Sequence, residues 1–269
     1  MTAATRDPDT QYAFNNDEAP AGDLLEALGE MMDVFTVKRL IAAGVAKGSR
    51  CLEVGAGRGT IAAWLADEVG PEGSVVAIDI KPQHVRAHPN LTVLQRNVVT
   101  DPLPEGPFDV IHARAVLQHL PEREAVLAKL ADALAPGGAV VIEELEAGWS
   151  RSVLATPDPR ADELMTSYET ALTNVLRNAG NDPTWCRRVH GTMTEIGLTD
   201  VNTEAWQRSW QGGTGACRLV YSGSLQLHDK LVAAGMSADD IEAMRRLARD
   251  PRLVLRGILL LSTTGRKAR

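Results

Sequence analysis

The stretch Cys51-Leu-Glu-Val-Gly-Ala-Gly-Arg-Gly-Thr60 decides the fold of this 269-residue chain. Apolar residues lead into three alternating glycines, and a helical pattern follows over 60–67. Alternating glycines permit a tight turn with positive φ angles and let main-chain N–H groups approach a ligand. The stretch therefore predicts a buried strand that turns into a helix N-terminus, the first βα unit of a doubly wound α/β fold.

The spacing of the glycines indicates which ligand the turn binds. A dinucleotide-binding turn favours G-x-G-x-x-G, whereas the glycines here are spaced G-x-G-x-G. Together with the preceding acid, the turn resembles the first motif of the class I S-adenosylmethionine-dependent methyltransferases, E/D-x-G-x-G-x-G, at Glu53, Gly55, Gly57 and Gly59. The resemblance implies S-adenosylmethionine as cofactor and places Glu53, Gly55 and Gly57 in its site.

The second predicted strand, over 74–79, supplies a candidate for the ribose. It ends in Asp79, 20 residues after the last glycine, where a carboxylate can accept hydrogen bonds from both ribose hydroxyls. The alternative is a solvated acid that caps the next segment. Ile80, the next residue, is assigned to the same cofactor site.

The third and fourth predicted strands add further cofactor candidates. The resemblance places Asn97 and Val98, which follow a strand over 91–95, along the adenine; Asn97 could equally cap a turn. At the end of the fourth strand, Ala113 and Arg114 are assigned to the same site.

The alternation of strands and helices predicts the architecture. An L-x-P-G-G turn over 134–138 precedes a fifth strand, and similar turns mark the same family. Buried strands alternating with amphipathic helices predict a mostly parallel sheet with helices on both faces. By resemblance, the sheet has seven strands and the last is antiparallel.

Composition narrows the function classes. The chain is 44% apolar, enough for one large core with insertions, and its net charge of −7 gives no basic face for nucleic acid. Its three cysteines lack disulfide or metal-ligand spacing, so we expect no metal. No signal peptide or membrane span is predicted, which favours a cytoplasmic protein. The sequence does not determine the oligomeric state.

The domain prediction has four parts. Residues 1–36 form an N-terminal flap with helices, 37–146 the S-adenosylmethionine-binding core, 147–197 a helical lid, and 198–269 the rest of the core sheet with a helical insertion. Within these parts, the apolar patterns also predict two separate N-terminal helices, a helix over 219–234, and one final strand over 253–262.

Methyl transfer from a sulfonium needs few catalytic groups, because holding the nucleophile in line with the methyl carbon and excluding water supply much of the rate. For a hydroxyl acceptor, a histidine near the sheet edge is the natural proton acceptor. We favour His119 over His112, although His119 could instead order the loop beside the cofactor. Of Glu143 and Glu144 at the end of strand five, only one can face the substrate, and Glu144 is the second catalytic candidate.

Aromatic residues and a further histidine are candidates for binding the acceptor. Tyr12 lies in the predicted flap, and Trp149, Trp185 and His190 lie in the predicted lid. Each has a structural alternative, because aromatic residues more often pack than line a pocket, and a helical histidine is more often a packed or surface residue.

Together these features predict an S-adenosylmethionine-dependent methyltransferase that acts on a small molecule of secondary metabolism. Oxygen is the first choice for the methylated atom, with nitrogen and carbon open. The alternatives are a non-catalytic S-adenosylmethionine-binding protein and a nicotinamide-dependent oxidoreductase. The glycine spacing and the lack of a Tyr-x-x-x-Lys pair disfavour the oxidoreductase.

Overall fold

The structure is a computed structural model that describes residues 19–146 and 152–269, so Tyr12 and Trp149 lie outside the described residues. The strands are β1 (Arg50–Val54), β2 (Ser74–Asp79), β3 (Leu91–Gln95), β4 (Phe108–Arg114), β5 (Leu134–Glu146), β6 (Val153–Ala155), β7 (Thr199–Trp206), β8 (Ser209–Gln211), β9 (Val254–Arg256) and β10 (Leu259–Arg266). The helices are α1 (Ala19–Ala43), α2 (Thr60–Val69), α3 (Arg123–Asp132), α4 (Ala161–Asn178), α5 (Val189–Glu195), α6 (Gly215–Gln226), α7 (His228–Ala233) and α8 (Ala238–Ala248).

Seven strands form the main sheet, in the order β3-β2-β1-β4-β5-β10-β7. The neighbours from β3 to β5 pair in parallel, whereas β10 is antiparallel to both β5 and β7. The predicted seven-stranded doubly wound sheet with an antiparallel last strand is confirmed. The strand order reverses between β1 and β4, and in such sheets ligands bind beyond the carboxyl ends of the strands at that reversal.

Both faces of the main sheet are covered, which explains why its central strands are almost continuously apolar. Adjacent residues of β1 point to opposite faces: Cys51 packs in the cluster with α2, and Leu52 packs in the cluster with α3. Burial of these two faces holds the carboxyl edge of β1 and β4 in place.

A second helical layer joins segments distant in sequence. Helix α4 packs with α6, α7 and α8 around one apolar cluster that contains Leu164, Tyr168, Leu231 and Met244. The small antiparallel sheet β6-β9-β8 adjoins this layer. Helix α5 instead packs on β7 and β10 of the main sheet.

Three predicted elements differ from the structure. The two N-terminal helices are one helix, α1, because it packs on α6 as well as on the main sheet. The helix predicted over 219–234 is two helices that meet at Leu227. The strand predicted over 253–262 divides into β9 and β10 of different sheets. At this division, the Gly257 N–H donates to the Arg208 carbonyl, and a Cβ at 257 would lie 2.8 Å from Trp210 Nε1.

Helix α1 is fixed to the main sheet by Arg39, which is 4% exposed. Its guanidinium donates to the Ser262 hydroxyl at 3.1 Å and to the Thr264 hydroxyl at 3.0 Å, and it forms an ion pair with Glu204. The contacts join α1 to β10 and β7, so the helix lies at a fixed place beside the carboxyl edge of the sheet. Within the described residues, no helix has both the length and the apolar character that a bilayer crossing requires.

Candidate active site

The glycine turn after β1 is held by Asp79 at the end of β2. One carboxylate oxygen of Asp79 accepts from the Gly57 N–H at 2.9 Å, and the other accepts from the Lys81 N–H at 2.8 Å. A carboxylate has about four lone-pair positions, so both oxygens can still accept from a ligand diol. Gly57 has a φ of 54°, and a Cβ built there meets no atom within 4 Å, so the turn presents bare backbone at this point.

Gly55 is required for a different reason, namely the packing of the turn. Its φ is 73°, and a Cβ there would lie 2.2 Å from Val116 Cγ2. We expect Gly55→Ala to lower the free energy of unfolding by about 2–4 kcal/mol, from left-handed backbone strain plus overpacking. Chemical denaturation measures this change. The control is Gly48→Ala, where φ is 83° and no atom lies within 4 Å of a Cβ. Equal losses in the two variants would exclude the Val116 contact as a cause.

A cavity of about 210 Å³ lies at this edge of the sheet, where β1 and β4 end. Eight predicted cofactor residues line it: Glu53, Gly55, Gly57, Asp79, Ile80, Asn97, Val98 and Arg114. We call it the cofactor cavity. The structure does not bring Ala113 to the cavity, because that side chain points into the core and is 0% exposed.

The sequence prediction missed part of the cavity wall. Ala115 and Val116, just after β4, line it, and so do Leu25, Leu28 and Met32 of α1. Ala115 has a φ of 53°, which is uncommon for a residue with a Cβ, and no sequence pattern indicated it. The apolar stripe on α1 did contain a signal, but only the packing of α1 shows which way the stripe faces.

Asn97 has the turn-capping role that was its alternative, and it also lines the cofactor cavity. The side-chain oxygen of Asn97 accepts from the Val99 N–H at 2.9 Å. Its backbone N–H donates to the Asp101 carboxylate at 2.9 Å. Val98 and the 40% exposed Ile80 give the same cavity apolar surface. An adenine needs such apolar contacts for its faces and polar groups for its edge.

A chain of buried polar groups lies beneath the glycine turn. Glu53 lies 2.7 Å from His112 Nδ1, and His112 Nε2 lies 3.4 Å from Glu143. Glu143 also accepts from the Thr36 hydroxyl at 2.5 Å, and that hydroxyl accepts from Arg114 at 2.8 Å. The chain runs from the cofactor cavity to α1, and we call it the buried ion chain.

The charges in the buried ion chain follow from mutual stabilisation. Burial disfavours a charged imidazole, but Glu53 and Glu143 outweigh it and raise the pKa of His112 to about 9. Burial also opposes ionisation of Glu143, yet the hydrogen bond and charge of His112 hold the pKa of that carboxyl below its ordinary value. At neutral pH an imidazolium therefore lies between two carboxylates.

His119, the favoured proton acceptor, lies on the short 3₁₀ turn Leu117–His119. Its Nδ1 lies 2.9 Å from the Asn181 carboxamide, and its Nε2 lies 3.3 Å from that of Gln118. Burial and the charge of Arg123 lower the pKa of His119 to about 4, so the ring is neutral at physiological pH.

The two histidines are expected to titrate on opposite sides of neutrality. In imidazole nitrogen NMR spectra of histidine-labelled protein, His112 should stay doubly protonated until the pH approaches about 9. His119 should stay neutral until the pH falls to about 4. The variants His112→Gln and His119→Gln assign the signals. A His112 signal that loses its proton below neutral pH would contradict the charge pattern of the buried ion chain.

Glu144, the second catalytic candidate, is 0% exposed and lines neither described cavity. Its Oε1 accepts from the Gln118 N–H at 3.2 Å, and burial raises the pKa of the carboxyl to about 8. The structure therefore places it behind the turn that carries His119, where it positions that turn.

A second cavity, of about 140 Å³, adjoins the first. The two share three wall residues, Leu28, Ala115 and His119. Helices α1, α4 and α6 supply most of the remaining wall. We call this the acceptor cavity, after the role that we propose for it.

Two substrate-binding candidates lie elsewhere. Trp185 is 0% exposed and packs in the core cluster with Leu117 and Val189, with the Arg188 guanidinium 5.2 Å from its ring centre. His190 on α5 is exposed and lies 2.9 Å from the Thr203 hydroxyl. Neither lines either cavity described here.

Comparison with known proteins agrees with this geometry. A family model described as a methyltransferase domain matches residues 31–183, more than half of the 269 residues. A relative named Methyltransferase str2, from Strobilurus tenacellus, is 34% identical over 148 residues, which cover 54% of this chain and 52% of the relative. A ubiquinone/menaquinone biosynthesis C-methyltransferase from Cupriavidus taiwanensis is 28% identical over 149 residues, covering 52% of this chain and 58% of the relative.

Solved structures share the fold. A candidate methyltransferase from an antibiotic biosynthesis pathway of Anabaena variabilis has a TM-score of 0.56 at 16% identity. The superposition covers 87% of this chain and 98% of the Anabaena chain. A phosphoethanolamine N-methyltransferase from Haemonchus contortus, solved with S-adenosylhomocysteine, has a TM-score of 0.52 at 13% identity. The superposition covers 92% of this chain and 53% of the Haemonchus chain.

The chain spans about half the length of the curated relatives it matches. The family model nevertheless matches residues 31–183, which contain the glycine turn and Asp79, and solved methyltransferases share the fold. This chain belongs to the class I S-adenosylmethionine-dependent methyltransferase family.

Proposed function

We propose that the protein transfers a methyl group from S-adenosylmethionine to a small-molecule acceptor of secondary metabolism, with oxygen as the first choice of acceptor atom. The observation that carries the proposal is the junction of the two cavities at Leu28, Ala115 and His119. An acceptor seated in one cavity and a cofactor in the other would meet there. Such a junction supplies proximity, which contributes much of the rate in a displacement reaction.

The residues around the cofactor cavity have distinct expected roles. Asp79 would bind the ribose hydroxyls, while Ile80 and Val98 would contact the adenine. Glu53 would face the amino acid end of the cofactor, with its carboxylate held in place by His112. When bound, S-adenosylmethionine supplies an electrophilic methyl group on a sulfonium.

His119 would position the acceptor and receive its proton. Both ring nitrogens of His119 contact carboxamides, those of Asn181 and Gln118, so an acceptor hydroxyl would replace one of these contacts at the junction. On methyl transfer, the hydroxyl proton of the acceptor would pass to that ring nitrogen of His119 and then to solvent. The apolar residues of α1 and α4 would exclude water from this step.

Carbon is the second candidate for the methylated atom, because one relative is named as a C-methyltransferase. The same pocket would hold a carbon nucleophile whose proton is removed at the junction. A non-catalytic S-adenosylmethionine-binding protein is the alternative function. This alternative predicts that S-adenosylmethionine binds in the cofactor cavity but that no acceptor is methylated.

Isothermal titration with S-adenosylmethionine, S-adenosylhomocysteine and NADH tests the cofactor. We expect the first two to bind in the micromolar range and NADH not to bind. Mass spectrometry of a phenol and enol panel incubated with S-adenosylmethionine then tests for transfer, read as formation of a methylated product and S-adenosylhomocysteine. Cofactor binding without any product across a broad panel would favour the non-catalytic alternative, and a preference for NADH would refute the proposal.

A further inference from the structure

We infer that the acceptor cavity selects a compact, uncharged, apolar acceptor about the size of one substituted ring, with its reacting hydroxyl at the His119 end. The inference rests on the proposed function and deepens it, because it names the substrate class. Four properties of the cavity carry it: its position, its walls, its charges and its volume.

The position sets the direction in which the acceptor lies. His119 lies at the junction with the cofactor cavity, and Asn181, just beyond the C-terminal end of α4, contacts the His119 ring. The cavity then runs beside α4, with Leu176 and Glu169 both in its wall. These two residues are seven positions apart, which corresponds to about 10 Å along a helix axis. One ring with a substituent spans such a distance.

The walls are mostly apolar. The apolar residues come from α1, β5, α4, α6 and the segment from β9 to β10, and they are Leu24, Leu28, Leu145, Met165, Leu172, Leu176, Ala216, Leu219, Val220, Leu255 and Ile258. Apolar surface of this kind favours an apolar ligand body, since burial removes both surfaces from water. Polar side chains such as Ser152, Tyr168 and Thr173 also line the cavity, but they are fewer than the apolar ones, so a strongly polar acceptor would lose more hydration than the wall replaces.

The charges in the wall balance one another. Glu169 and Arg256 are the charged side chains among the described residues that line the acceptor cavity, and His119 is neutral at physiological pH. Burial raises the pKa of Glu169, while a hydrogen bond from Ser152 and the charge of Arg256 oppose that rise. An anionic acceptor would lie near the Glu169 carboxyl and a cationic one near the Arg256 guanidinium, so the wall favours neither charge over an uncharged acceptor.

The volume limits the size of the acceptor. The cavity measures about 140 Å³. An engineered protein cavity of about 150 Å³ accommodates benzene, so the acceptor cavity matches roughly one ring. Larger substituents would have to extend through the junction or out of the cavity.

The test compares para-substituted phenols of different charge, and uncharged 4-propylphenol, which has as many non-hydrogen atoms as each charged probe, controls for size. The probes are p-cresol, its anionic analogue 4-hydroxybenzoate and its cationic analogue tyramine. They are titrated by calorimetry into the full chain at neutral pH, with and without saturating S-adenosylhomocysteine. We expect p-cresol to bind about 10-fold or more tightly than either charged analogue, because burial of an uncompensated charge costs more than a tenfold change in affinity.

Two variants locate the binding. Leu172→Trp fills the acceptor cavity and should abolish p-cresol binding while leaving S-adenosylhomocysteine affinity unchanged. Its control is Leu225→Trp, the same substitution at a residue that is 39% exposed. Glu169→Gln leaves the Arg256 charge uncompensated and should raise the affinity for 4-hydroxybenzoate about 10-fold.

The outcomes separate the inference from the proposed function. Equal binding of the three probes, or p-cresol binding that survives Leu172→Trp in a protein that still binds S-adenosylhomocysteine, would overturn the inference. Failure to bind S-adenosylhomocysteine would refute the proposed function, and titration of p-cresol without it would still report on the cavity. Selective p-cresol binding that Leu172→Trp removes would support the inference.

Discussion

An Asp79→Ala variant is expected to bind S-adenosylhomocysteine about 100-fold more weakly than the unchanged protein, because each charge-assisted hydrogen bond to a ribose hydroxyl contributes about 1.5–3 kcal/mol. The loss has two sources. The ribose loses both acceptors, and the Gly57 N–H loses the carboxylate that holds the glycine turn. Isothermal titration calorimetry measures the change.

Two controls separate these sources from a general charge effect. Asp67→Ala removes a carboxylate on α2 whose side chain is 78% exposed, and it should leave the affinity unchanged. Asp79→Asn keeps one oxygen that can accept from Gly57, so its affinity should fall between those of the unchanged protein and Asp79→Ala. If Asp79→Ala folds normally and binds S-adenosylhomocysteine as tightly as Asp67→Ala, Asp79 does not bind the ribose.

The second large effect is on stability. We expect His112→Gln to lower the free energy of unfolding by about 3–5 kcal/mol, the usual cost of removing one partner from a buried ion pair. Glu53 is 3% exposed and Glu143 is 0% exposed, so both carboxylates would remain buried without the imidazolium between them. Equilibrium unfolding in urea at neutral pH measures the difference.

An exposed histidine pair provides the matched control. His88 lies 3.2 Å from Asp67, but both side chains reach solvent, and His88→Gln should cost less than about 1 kcal/mol. Adding Glu143→Gln to His112→Gln should recover part of the lost stability, because one buried charge is then removed. A loss from His112→Gln no greater than that from His88→Gln would show that the buried ion chain does not stabilise the fold.

The pH dependence of stability has a defined sign. The pKa of His112 is raised from 6.5 to about 9, so its contribution is fully present below pH 6.5 and is lost as the pH rises through 9. The pKa of Glu143 is lowered from 4.5, so its contribution is present above pH 4.5 and is lost as the pH falls. Stability of the unchanged protein should therefore decline from pH 6.5 to 9, and the double variant should lack most of that decline.

The sequence predicted much of the lining of the cofactor cavity because those residues lie at fixed offsets from strand ends. In a parallel sheet, the carboxyl ends of neighbouring strands lie at one edge, so the glycine turn, Asp79 and Val98 meet there. Ala113 is a position at which the offset from a strand end did not predict the cavity wall. A difference of one or two residues decides whether a side chain at a strand end points into the core or the cavity, and the positive φ of Ala115 carries no sequence signal.

The acceptor side could not be predicted in this way. Its wall combines α1, α4, α6 and the segment between β9 and β10, which are distant in sequence, and no local pattern specifies how helices from separate segments pack. Trp185 shows the consequence. Its large aromatic side chain suited the wall of a substrate pocket, but the tertiary packing buries it in the core.

The sequence by itself determined the doubly wound sheet, the glycine turn and the family, because each depends on short-range periodicity and on residue types at set spacings. Only the tertiary structure decided the buried ion chain and the junction of the cavities. Thr36 and Glu143 are 107 positions apart, and His112 and Glu53 are 59 apart, so their contacts depend on strand order and on how α1 packs. Charge states follow from those contacts, since burial and close partners set the pKa of a side chain.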